Sequence, residues 1–584
     1  MANADVVALL ENIALALELK QESPFRIRAY REAARNVAFL IPDIRQLFAE
    51  GKLEEIPGVG SSIAEKIADY LTTGKSAYLE AMGPEAPAGV LELTRIPGVG
   101  PRRARTIYDA LNIQTAAALA EACRQGQIRA LKGLGAATEA RILQEIERLP
   151  ERSRRIPLGV ALPLAERIVA SLRVWPGIDR AEPAGSVRRC MEMVGDIDVL
   201  VAAKDASVVR DAVTRGLPFA PELIASGPTK MTFLAPGAWQ VDVRVVPERS
   251  WGAALQYFTG SMAHNIVLRE RAMARRLKLN EYGLFDLDTG ASVAGRTEAE
   301  IYERLDLDWI PPELREAAGE IEAAEAGRLP RLVESSDVRG DFHSHTMYSD
   351  GEAGIEAMAR AALALGYEFL AITDHSPGLG ITHGLDLAKL VRQRQEIVAL
   401  RPKLAPFRIL HGIELEIRAS GELDFPDDIL AGFDLVTASL HLATRQGTER
   451  ITARLLAALA HPLVGILNHP SGRLLDTRPA YDFDLDQVID AARAHGKALE
   501  INGSYLRLDL PDSAARRARD RGVVFSLGSD AHSIAGLGAM RLAVAVARRA
   551  WIGPDQVLNT WSADRRAASA AIRQPPVPGV SGGR

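Results

Sequence analysis

Two sets of residues in this chain have the types and spacing that metal-dependent phosphate chemistry needs. Asp196 and Asp198 alternate beside the apolar run 199–201, so both carboxylates leave the same face of a predicted strand. Such a pair is costly unless cations lie between the two charges. Asp242, in the strand-like run 241–246, can supply a third ligand from a neighbouring strand. This pattern indicates two Mg²⁺ ions about 3.5–4 Å apart, the arrangement used for in-line phosphoryl transfer.

The residues that precede these carboxylates favour the same chemistry. Gly185 and Ser186 offer backbone and hydroxyl donors to a phosphate, and Arg189 adds a guanidinium fork that matches phosphate oxygens. An isolated Asp-x-Asp is more often an exposed part of an amphipathic strand. The Gly-Ser turn and the paired arginines, taken with the carboxylates, instead indicate nucleotidyl transfer.

The second set is rich in histidine, because ten of the eleven histidines follow residue 340. Histidines and carboxylates stand at or near predicted strand ends at His343, His345, Asp350, His375, Glu414, His441, His469, Asp530 and His532. The carboxyl ends of the strands of a parallel barrel meet on one face, so we expect these side chains to converge. One such histidine alone would be structural, but a ligand on nearly every strand predicts a cluster of two or three ions. Imidazole and carboxylate without thiolate suit Zn²⁺, Mn²⁺ or Fe, and such a cluster hydrolyses phosphoesters.

The elements that must position these residues differ along the chain. Up to about residue 150 the pattern is all-helical, and from Ile156 it becomes α+β. After residue 339, apolar strand-like runs alternate about seven times with helical patterns, which predicts parallel strands in a barrel-like α/β fold. The Pro- and Gly-rich end, 574–584, is expected to be disordered.

The helical region contains two near-identical Gly-Val-Gly turns, each of which opens a helix. They hold Gly58 and Gly60 in the first copy and Gly98 and Gly100 in the second, and Gly133 to Gly135 forms a weaker third. Glycine lets the backbone approach a phosphate closely, and the amides at the following helix N-terminus bind the anion without reading bases. One copy could be only a tight connection, but two predict a helix-hairpin-helix grip on the DNA backbone.

The totals restrict the class of protein. A chain of 584 residues predicts several domains, and no apolar run is long enough for a membrane helix. The N-terminus shows no export signal and the chain has only two cysteines, so we expect a cytoplasmic protein without a disulfide framework. The net charge of −5 gives no global sign of nucleic-acid binding, which makes the local motifs decisive.

The motifs between Gly185 and Arg269 resemble, in order, those of family X DNA polymerases. The resemblance implies that Asp196, Asp198 and Asp242 hold the metals, and it assigns nucleotide contacts to Gly185, Ser186, Arg189, Gly195, Tyr257, Phe258, Gly260, Asn265 and Arg269. The contacts to the triphosphate would come from Gly185, Ser186, Arg189 and Gly195. Tyr257, Phe258 and Gly260 would lie beside the sugar, and Asn265 and Arg269 would lie near the minor groove. Cys190, where glycine is usual, and Met262, often acidic in animal relatives, depart from the pattern.

The first helical segment resembles the lyase domain of the same family. In that domain a lysine at the position of Lys66 forms a Schiff base with an abasic sugar, and Tyr30 matches as well. Two phosphate-binding lysines of the family are replaced by Arg26 and Ser62. Lyase activity therefore stays open, and alone Lys66 would be an ordinary solvated helix lysine.

The region from Arg339 to Arg573 resembles the PHP (polymerase and histidinol phosphatase) domain of bacterial family X polymerases. The resemblance implies a trinuclear Zn²⁺ or Mn²⁺ site held by the nine histidines and carboxylates named above. Arg473 and His383 are interpreted as solvated loop residues rather than phosphate contacts. Three other histidines are interpreted as structural: His411, His461 and His495.

These interpretations predict a multidomain protein with an all-α helix-hairpin-helix region, an α+β nucleotidyltransferase palm and thumb, and a distorted (β/α)7 PHP barrel. The predicted divisions are a lyase-like domain at 1–80, a fingers-like domain at 81–155, a palm at 156–250, a thumb at 251–310, a linker at 311–338, a PHP domain at 339–573 and a tail at 574–584.

The predicted function is gap-filling DNA synthesis in base excision repair or end joining. The PHP domain would add a 3'-5' exonuclease and a 3'-phosphodiesterase or abasic-site endonuclease. Gapped or nicked DNA and deoxynucleoside triphosphates would be the partners of a monomer associated with the bacterial nucleoid. Two alternatives stay open: a histidinol-phosphate-type phosphatase fused to a DNA-binding scaffold, and a binding protein with a degenerate polymerase centre.

Overall fold

The computed structural model describes residues 2–20, 22–38, 44–56, 58–81, 93–94, 96, 99–152, 155–219, 221–237, 239–475, 477–567 and 569. The chain divides into two compact units. The first contains 1–156, 165–183 and 195–248, and the second contains 157–164, 184–194 and 249–584. The predicted tail and Gly98 lie outside the described residues. No helix in the described part of the chain is long and apolar enough to cross a membrane.

The N-terminal part of the first unit is helical, as predicted. Its helices of five or more residues are Ala2–Leu19, Pro24–Ala38, Ile44–Ala49, Ser61–Thr73, Ala77–Ala81, Pro101–Leu111, Ala116–Arg124 and Ala136–Arg152. They form two apolar cores, one around Leu10 and Ile67 and the other around Ile107 and Leu119. Gly74, in the left-handed conformation at φ 72°, ends the helix that carries Lys66.

The same unit contains a five-stranded sheet. Its strands are β1 (Ile178–Pro183), β2 (Ile197–Ala203), β3 (Glu222–Ser226), β4 (Lys230–Ala235) and β5 (Trp239–Val246), in the order β1-β2-β5-β4-β3. Only the central pair, β2 and β5, is parallel, and it aligns Asp198 with Asp242. Residues 199–203 of β2 are all buried, because both faces of this central strand are covered. The sheet thus fixes two of the predicted metal ligands side by side.

The second unit begins with a small α+β region. Its elements are the helices Gly185–Arg188, Trp251–Thr259, Met262–Ala274, Glu298–Arg304 and Glu320–Glu325, and the antiparallel strands β6 (Leu277–Asn280), β7 (Gly283–Asp286) and β8 (Ser292–Ala294). Leu268, Leu284 and Ile301 lie in its apolar core.

The segment 311–338 differs from the predicted linker. It places Leu314, Ile321 and Leu332 in the same core as the preceding helices, together with Trp551 from near the end of the chain. Glu313 also pairs with Arg548 at 2.7 Å. Proline and polar residues suggested an exposed connection, but the apolar residues between them are spaced to pack inward.

A buried ionic network joins this region to the Gly-Ser turn. The Glu298 carboxylate accepts bonds from Arg188 at 2.8 and 2.9 Å and from the fully buried Arg315 at 2.6 Å. Burial would raise the pKa of Glu298, but Arg315 and Arg188 outweigh burial and lower it to about 2. The network's contribution to stability is therefore complete above about pH 4.3 and is lost as the pH falls towards that folded-state pKa.

Replacing Glu298 by Gln is expected to lower the free energy of unfolding by about 3 kcal/mol, because two arginines would keep buried charges without a counter-charge. Thermal and urea unfolding at pH 7 measure the effect. Glu303→Gln, an exposed change on the same helix, is the control. Equal unfolding midpoints for the two variants would contradict the prediction.

The rest of the second unit is the predicted parallel barrel. Its seven strands are β9 (Gly340–Asp341), β10 (Phe369–Ile372), β11 (Arg408–Glu416), β12 (Leu435–Ser439), β13 (Ile466–Leu467), β14 (Ala498–Asn502) and β15 (Val524–Gly528), paired in chain order. A further bridge between Ser344 and Ala531 brings the first and last strands together and nearly closes the barrel.

The helices of the barrel region follow its strands along the chain. Among the described residues its α-helices are Ile355–Ala364, Leu387–Leu404, Asp427–Leu430, Thr448–Ala460, Leu485–Ala494, Asp512–Asp520, Met540–Arg549 and Ala563–Ala567. Alternation with parallel strands brings the carboxyl ends of all seven strands to one face.

Candidate active sites

The first candidate site is the carboxylate group on β2 and β5. Asp196 precedes β2, Asp198 lies within it, and Asp242 is its register partner on β5. Ligand oxygens of all three lie within 4.8 Å of one another. Three hard oxygen donors at this spacing suit divalent cations such as Mg²⁺.

The charges of this group are only partly balanced by the protein. Burial and then the Asp196 charge raise the pKa of Asp198 to about 7, and burial followed by the Asp242 charge raises the pKa of Asp196. Lys230 on β4 pairs with Asp242 at 2.7 Å, and Thr232 donates to the same carboxylate at 2.6 Å. Lys230 and Arg244 are the positive charges that act on Asp198, and two such charges cannot neutralise three carboxylates, so the group fits divalent cations.

Sequence reasoning missed Lys230 and Thr232, which have no distinctive spacing relative to Asp242. Both lie on the strand before Asp242, at alternating positions that share a face. The turn between β4 and β5 sets the register that brings Thr232 opposite Asp242. Only the pairing of the two strands reveals the contact.

The predicted phosphate-binding turn lies in the second unit. Gly185 and Ser186 begin the short helix Gly185–Arg188, and the residue after the arginines, Cys190, has φ 55°. That left-handed conformation explains why glycine is usual there. The Arg189 guanidinium donates to the Thr259 carbonyl at 2.6 Å and pairs with Glu316 at 3.0 Å. These two bonds use Nε and Nη1 of the guanidinium.

The other predicted nucleotide contacts lie around two helices of the second unit. Tyr257 and Phe258 lie edge to face with ring centroids 5.2 Å apart. Asn265 is buried, donates to the Tyr257 carbonyl at 2.7 Å and accepts from Gln256 at 2.7 Å. Arg269 is exposed and donates to the Asn265 carbonyl at 3.2 Å. Gly260, at φ 72°, follows the first helix, and Gly195 belongs to the first unit.

The structure brings the predicted lyase residues together. The Lys66 ammonium donates to the Ser62 carbonyl at 2.7 Å and hydroxyl at 2.9 Å, and it lies 4.7 Å from the Tyr78 ring centroid. Arg26 donates to the Tyr78 hydroxyl at 3.0 Å. Tyr30 is buried beside Tyr78, and burial followed by that neighbour raises its pKa to about 12.

The glycines of the predicted DNA-binding turns serve different purposes. Gly58 has φ 73°, which side chains rarely adopt. Gly60 and Gly100 each cap a helix with φ −79° and −68°, which any residue can adopt, and a Cβ added at either would meet nothing within 4 Å. Neither strain nor packing requires glycine at these two caps. A bare backbone there leaves the helix N-terminus open to a ligand from outside.

The second candidate site gathers all nine predicted histidines and carboxylates at the carboxyl face of the barrel. They form overlapping groups in which ligand atoms lie within 4.8 Å: His345, Asp350, His375 and His532; His343, His469 and Asp530; His343, His345 and Glu414; His375, Glu414 and His441. The groups share His343, His345, His375 and Glu414, so they form one continuous cluster.

Glu414 lies at the centre of this cluster. Its carboxylate is 3.0 Å from His469, 3.1 Å from His375 and 3.3 Å from His343. Burial would raise the pKa of Glu414, but His375 and then His343 outweigh it and hold that pKa well below its usual range. A buried carboxylate ringed by imidazoles in this way can bridge two cations.

Both ring nitrogens of His345 are buried, and so is Nδ1 of His469. None of the three makes a hydrogen bond within the described residues. Burial followed by His532 lowers the pKa of His345 to about 3, and burial followed by Arg507 lowers that of His469 to about 4. These imidazoles are therefore neutral and have lone pairs to offer. Neutral imidazoles beside carboxylates are the donor set that divalent transition metals require, so the residues present fit such ions.

Two glutamates outside the predicted set orient the histidines. Glu500 lies 2.6 Å from Nδ1 of His343, and Glu416 lies 2.9 Å from Nδ1 of His441. Each carboxylate holds a proton on Nδ1 and directs Nε2 towards Glu414. A sequence signal existed for Glu416, which is two residues from Glu414 on the same strand.

Five further polar residues were interpreted above as solvated or structural: Arg473, His383, His411, His461 and His495. Arg473 is mostly buried rather than solvated, because it pairs with Glu192 at 2.6 Å and donates to the Arg507 carbonyl at 2.9 Å. His383 is exposed. Buried His411 lies 3.1 Å from Gln393, and His461 pairs with Asp427 at 3.1 Å. His495 is exposed beyond the helix Leu485–Ala494.

Comparison with known proteins finds family models for four parts of the chain. Family models match as a helix-hairpin-helix domain at 1–76, a SAM-like helix-hairpin-helix tandem at 90–148, a DNA polymerase beta thumb at 254–316 and a PHP domain at 341–504. A Thermoanaerobacter sp. (strain X514) protein described as a probable phosphatase is 34% identical over 233 residues, or 38% of this chain and 89% of that protein. A similar protein of Caldanaerobacter subterraneus is 32% identical over 38% of this chain and 86% of its own.

One relative covers nearly the entire sequence. The Bacillus subtilis (strain 168) protein named DNA polymerase/3'-5' exonuclease PolX is 37% identical over 564 residues, which is 96% of this chain and 98% of that protein. The phosphatase-like relatives match only the histidine-rich part, whereas this match includes both candidate sites. The chain belongs to the family X DNA polymerases that carry a C-terminal PHP domain.

Proposed function

We propose that this protein fills short gaps in DNA and trims DNA ends, using one centre for each reaction. The observation that carries the proposal is the presence of two separate ligand clusters in one chain: three aspartates on a palm-like sheet, and nine histidines and carboxylates on the barrel. The relative that matches both parts is named for both activities. Base excision repair and end joining need both steps at the same lesion.

At the polymerase centre, Asp196, Asp198 and Asp242 would hold two Mg²⁺ or Mn²⁺ ions. Bound there, the ions would neutralise the triphosphate and activate the primer 3'-hydroxyl for in-line transfer. Thr232 and Lys230 hold the Asp242 carboxylate in place for this task. The family resemblance assigns triphosphate contacts to Gly185, Ser186, Arg189 and Gly195, and these contacts stay a prediction.

At the barrel centre, the nine side chains around Glu414 would hold a Zn²⁺ or Mn²⁺ cluster of three ions. Bound there, the ions would bridge the phosphate, lower the pKa of water and stabilise the leaving oxygen. Attack of water on phosphorus breaks the bond to the 3'-oxygen, which takes up a proton and remains on the DNA as a 3'-hydroxyl. Glu500 and Glu416 keep His343 and His441 oriented during this cycle.

Assays on defined substrates test the whole proposal. The purified monomer is expected to extend primers on gapped and nicked DNA, to release nucleoside monophosphates from 3' ends and to cleave abasic or 3'-blocked ends. Its hydrolysis of histidinol phosphate is expected to be at least about a hundredfold slower, because the small substrate lacks the DNA contacts. Faster hydrolysis of histidinol phosphate than of DNA would favour the phosphatase alternative. A role in chromosomal repair would place the protein at the nucleoid.

The helix caps Gly60 and Gly100 are proposed to bind the DNA backbone. Replacing both by Val is expected to weaken binding of gapped DNA about tenfold, because a side chain there would keep a phosphate from the helix N-terminus. Fluorescence anisotropy at fixed salt measures the affinity. The unfolding midpoint is expected to stay unchanged, since a Cβ at either position meets nothing within 4 Å. The substitution Gly354→Val, at a helix cap in the barrel where a Cβ also meets nothing within 4 Å, is the control. Unchanged affinity of the double variant would refute the role of the caps.

A second candidate function is 5'-deoxyribose-phosphate lyase activity at Lys66. It is favoured by the position of Lys66, whose ammonium has no acidic partner among the described residues and faces the Tyr78 ring. Borohydride is expected to trap the protein covalently on DNA with a 5' abasic sugar, and Lys66→Ala is expected to reduce trapping at least about tenfold. Lys75→Ala, a lysine just beyond the same helix, is the control. Equal trapping of both variants would exclude Lys66 as the nucleophile.

A further inference from the structure

Arg507 stands beside the metal-ligand cluster of the barrel, in the loop after β14. Its Nε lies 3.3 Å from the Asp530 carboxylate, and its side chain is only 16% exposed. Asp530 in turn lies 3.3 Å from His345 and 3.5 Å from His343. A positive charge therefore adjoins a carboxylate of the cluster on the carboxyl face of the barrel.

One guanidinium nitrogen of Arg507 lacks a partner. Nη1 is buried and makes no hydrogen bond within the described part of the protein. An unsatisfied buried donor destabilises the folded protein, and more so when it is charged, so such a group calls for an explanation. The unpartnered imidazole nitrogens nearby can be satisfied by metal ions, but a guanidinium cannot bind a metal. It needs an acceptor, and an anion is the strongest one.

Arg315 shows that an unpartnered guanidinium nitrogen does not by itself indicate a ligand. Its Nη2 also has no hydrogen-bond partner, but its guanidinium lies 5.2 Å from the Tyr302 ring and 5.8 Å from the Trp309 ring. Aromatic faces can satisfy a cation there. Arg507 differs because its surroundings are the ligands of a site built for phosphate chemistry.

The backbone around Arg507 is held firmly. Arg473 donates to the Arg507 carbonyl at 2.9 Å while it pairs with Glu192 at 2.6 Å, and the Arg507 amide donates to the Ser504 carbonyl at 2.8 Å. Asp509, fully buried two residues later, accepts from the Ser471 amide at 3.1 Å. These bonds fix the backbone, and the contact of Nε with Asp530 orients the guanidinium before a ligand arrives, which lowers the entropy lost on binding.

We propose that Arg507 binds a non-bridging oxygen of the scissile phosphodiester through Nη1 while its Nε stays on Asp530. It would thereby orient the phosphate over the cluster and stabilise the negative charge that grows on it during hydrolysis. This inference rests on the phosphoesterase activity proposed above, and it adds to the metal ligands a residue that contacts the substrate directly.

Arg507→Met removes the charge and the donors while keeping most of the aliphatic length, and Arg507→Lys keeps the charge without the fork. In full-length protein, Arg507→Met is expected to lower kcat/KM for 3'-end hydrolysis about a hundredfold, and Arg507→Lys about tenfold. DNA synthesis and the bound metal per chain are expected to stay within twofold of the unchanged protein. Arg493→Met, an exposed arginine on a barrel helix, is the control.

A binding measurement separates substrate contact from support of Asp530. Inorganic phosphate is titrated by calorimetry into Mn²⁺-loaded protein carrying Asp196→Ala and Asp198→Ala, so that the polymerase centre does not contribute. Arg507→Met is expected to raise the phosphate Kd at least about tenfold. The proposal is overturned if the phosphate Kd stays within twofold, or if metal content falls in parallel with activity. If the unchanged protein hydrolyses no 3' end, the proposed exonuclease fails, while the phosphate titration still decides the role of Arg507.

Discussion

Replacing Asp196 and Asp198 by Ala is expected to lower nucleotide incorporation by at least about a thousandfold, because two of the three carboxylates that would hold the ions are lost. Hydrolysis of 3' ends by the same protein is expected to stay within twofold, since its ligands belong to the other cluster. Primer extension and 3'-end release, measured on one preparation, give both rates. Parallel loss of both activities would contradict two independent centres.

The same double variant carries a second expectation that does not depend on activity. Because the pKa of Asp198 is raised to about 7, ionisation of this buried group opposes folding as the pH rises above its unfolded value of about 3.9. Without divalent ions at pH 8, the variant is therefore expected to unfold at a higher temperature than the unchanged protein. Asp179→Ala, an exposed aspartate on β1 of the same sheet, is the control and should change neither measurement.

Replacing Glu414 by Gln is expected to have the opposite effect on the two activities. The change removes the central charge that faces His343, His375 and His469, so hydrolysis of 3' ends should fall at least about a thousandfold. DNA synthesis should stay within twofold. The comparison uses release of nucleoside monophosphates and primer extension on the same DNA.

Metal binding gives an independent measure of the same variant. Adding Mn²⁺ to chelator-treated protein that also carries Asp196→Ala and Asp198→Ala, so that the polymerase centre does not contribute, is expected to raise the unfolding midpoint, because an ion that binds only the folded state stabilises it. The increase should be largely lost in Glu414→Gln and kept in His495→Ala, an exposed histidine of the same barrel. A full metal-dependent increase in Glu414→Gln would show that this carboxylate is not a ligand.

The convergence of the barrel residues could be predicted because it follows from a rule of topology. His343, Glu414 and Asp530 are far apart in the sequence, but each stands near the carboxyl end of a parallel strand, and such ends share a face. The pairing of Asp198 with Asp242 was equally accessible, since both lie on apolar runs long enough to be central strands. In both cases a local pattern was enough to specify the three-dimensional neighbourhood.

Contacts that depend on long-range register could not be predicted in this way. Lys230, Glu500 and Arg507 have no distinctive spacing relative to the ligands that they touch. Their roles appear only when two strands, or a strand and a loop, are brought together. Arg189 is a related case, because its bond to Glu316 joins positions 127 residues apart.

The packing of segment 311–338 has a consequence for how this enzyme could be divided. Val333 donates to the Ile552 carbonyl at 3.0 Å, and Arg516 donates to the Ala318 carbonyl at 2.8 Å, so the segment is fastened to the end of the barrel region. A gene fragment that began at residue 339 would leave Trp551 without its apolar neighbours, and one that ended there would expose Leu332. Recombination that divides the chain at this stretch would therefore break the core of the second unit, which favours inheritance of its small α+β region and its barrel as one piece.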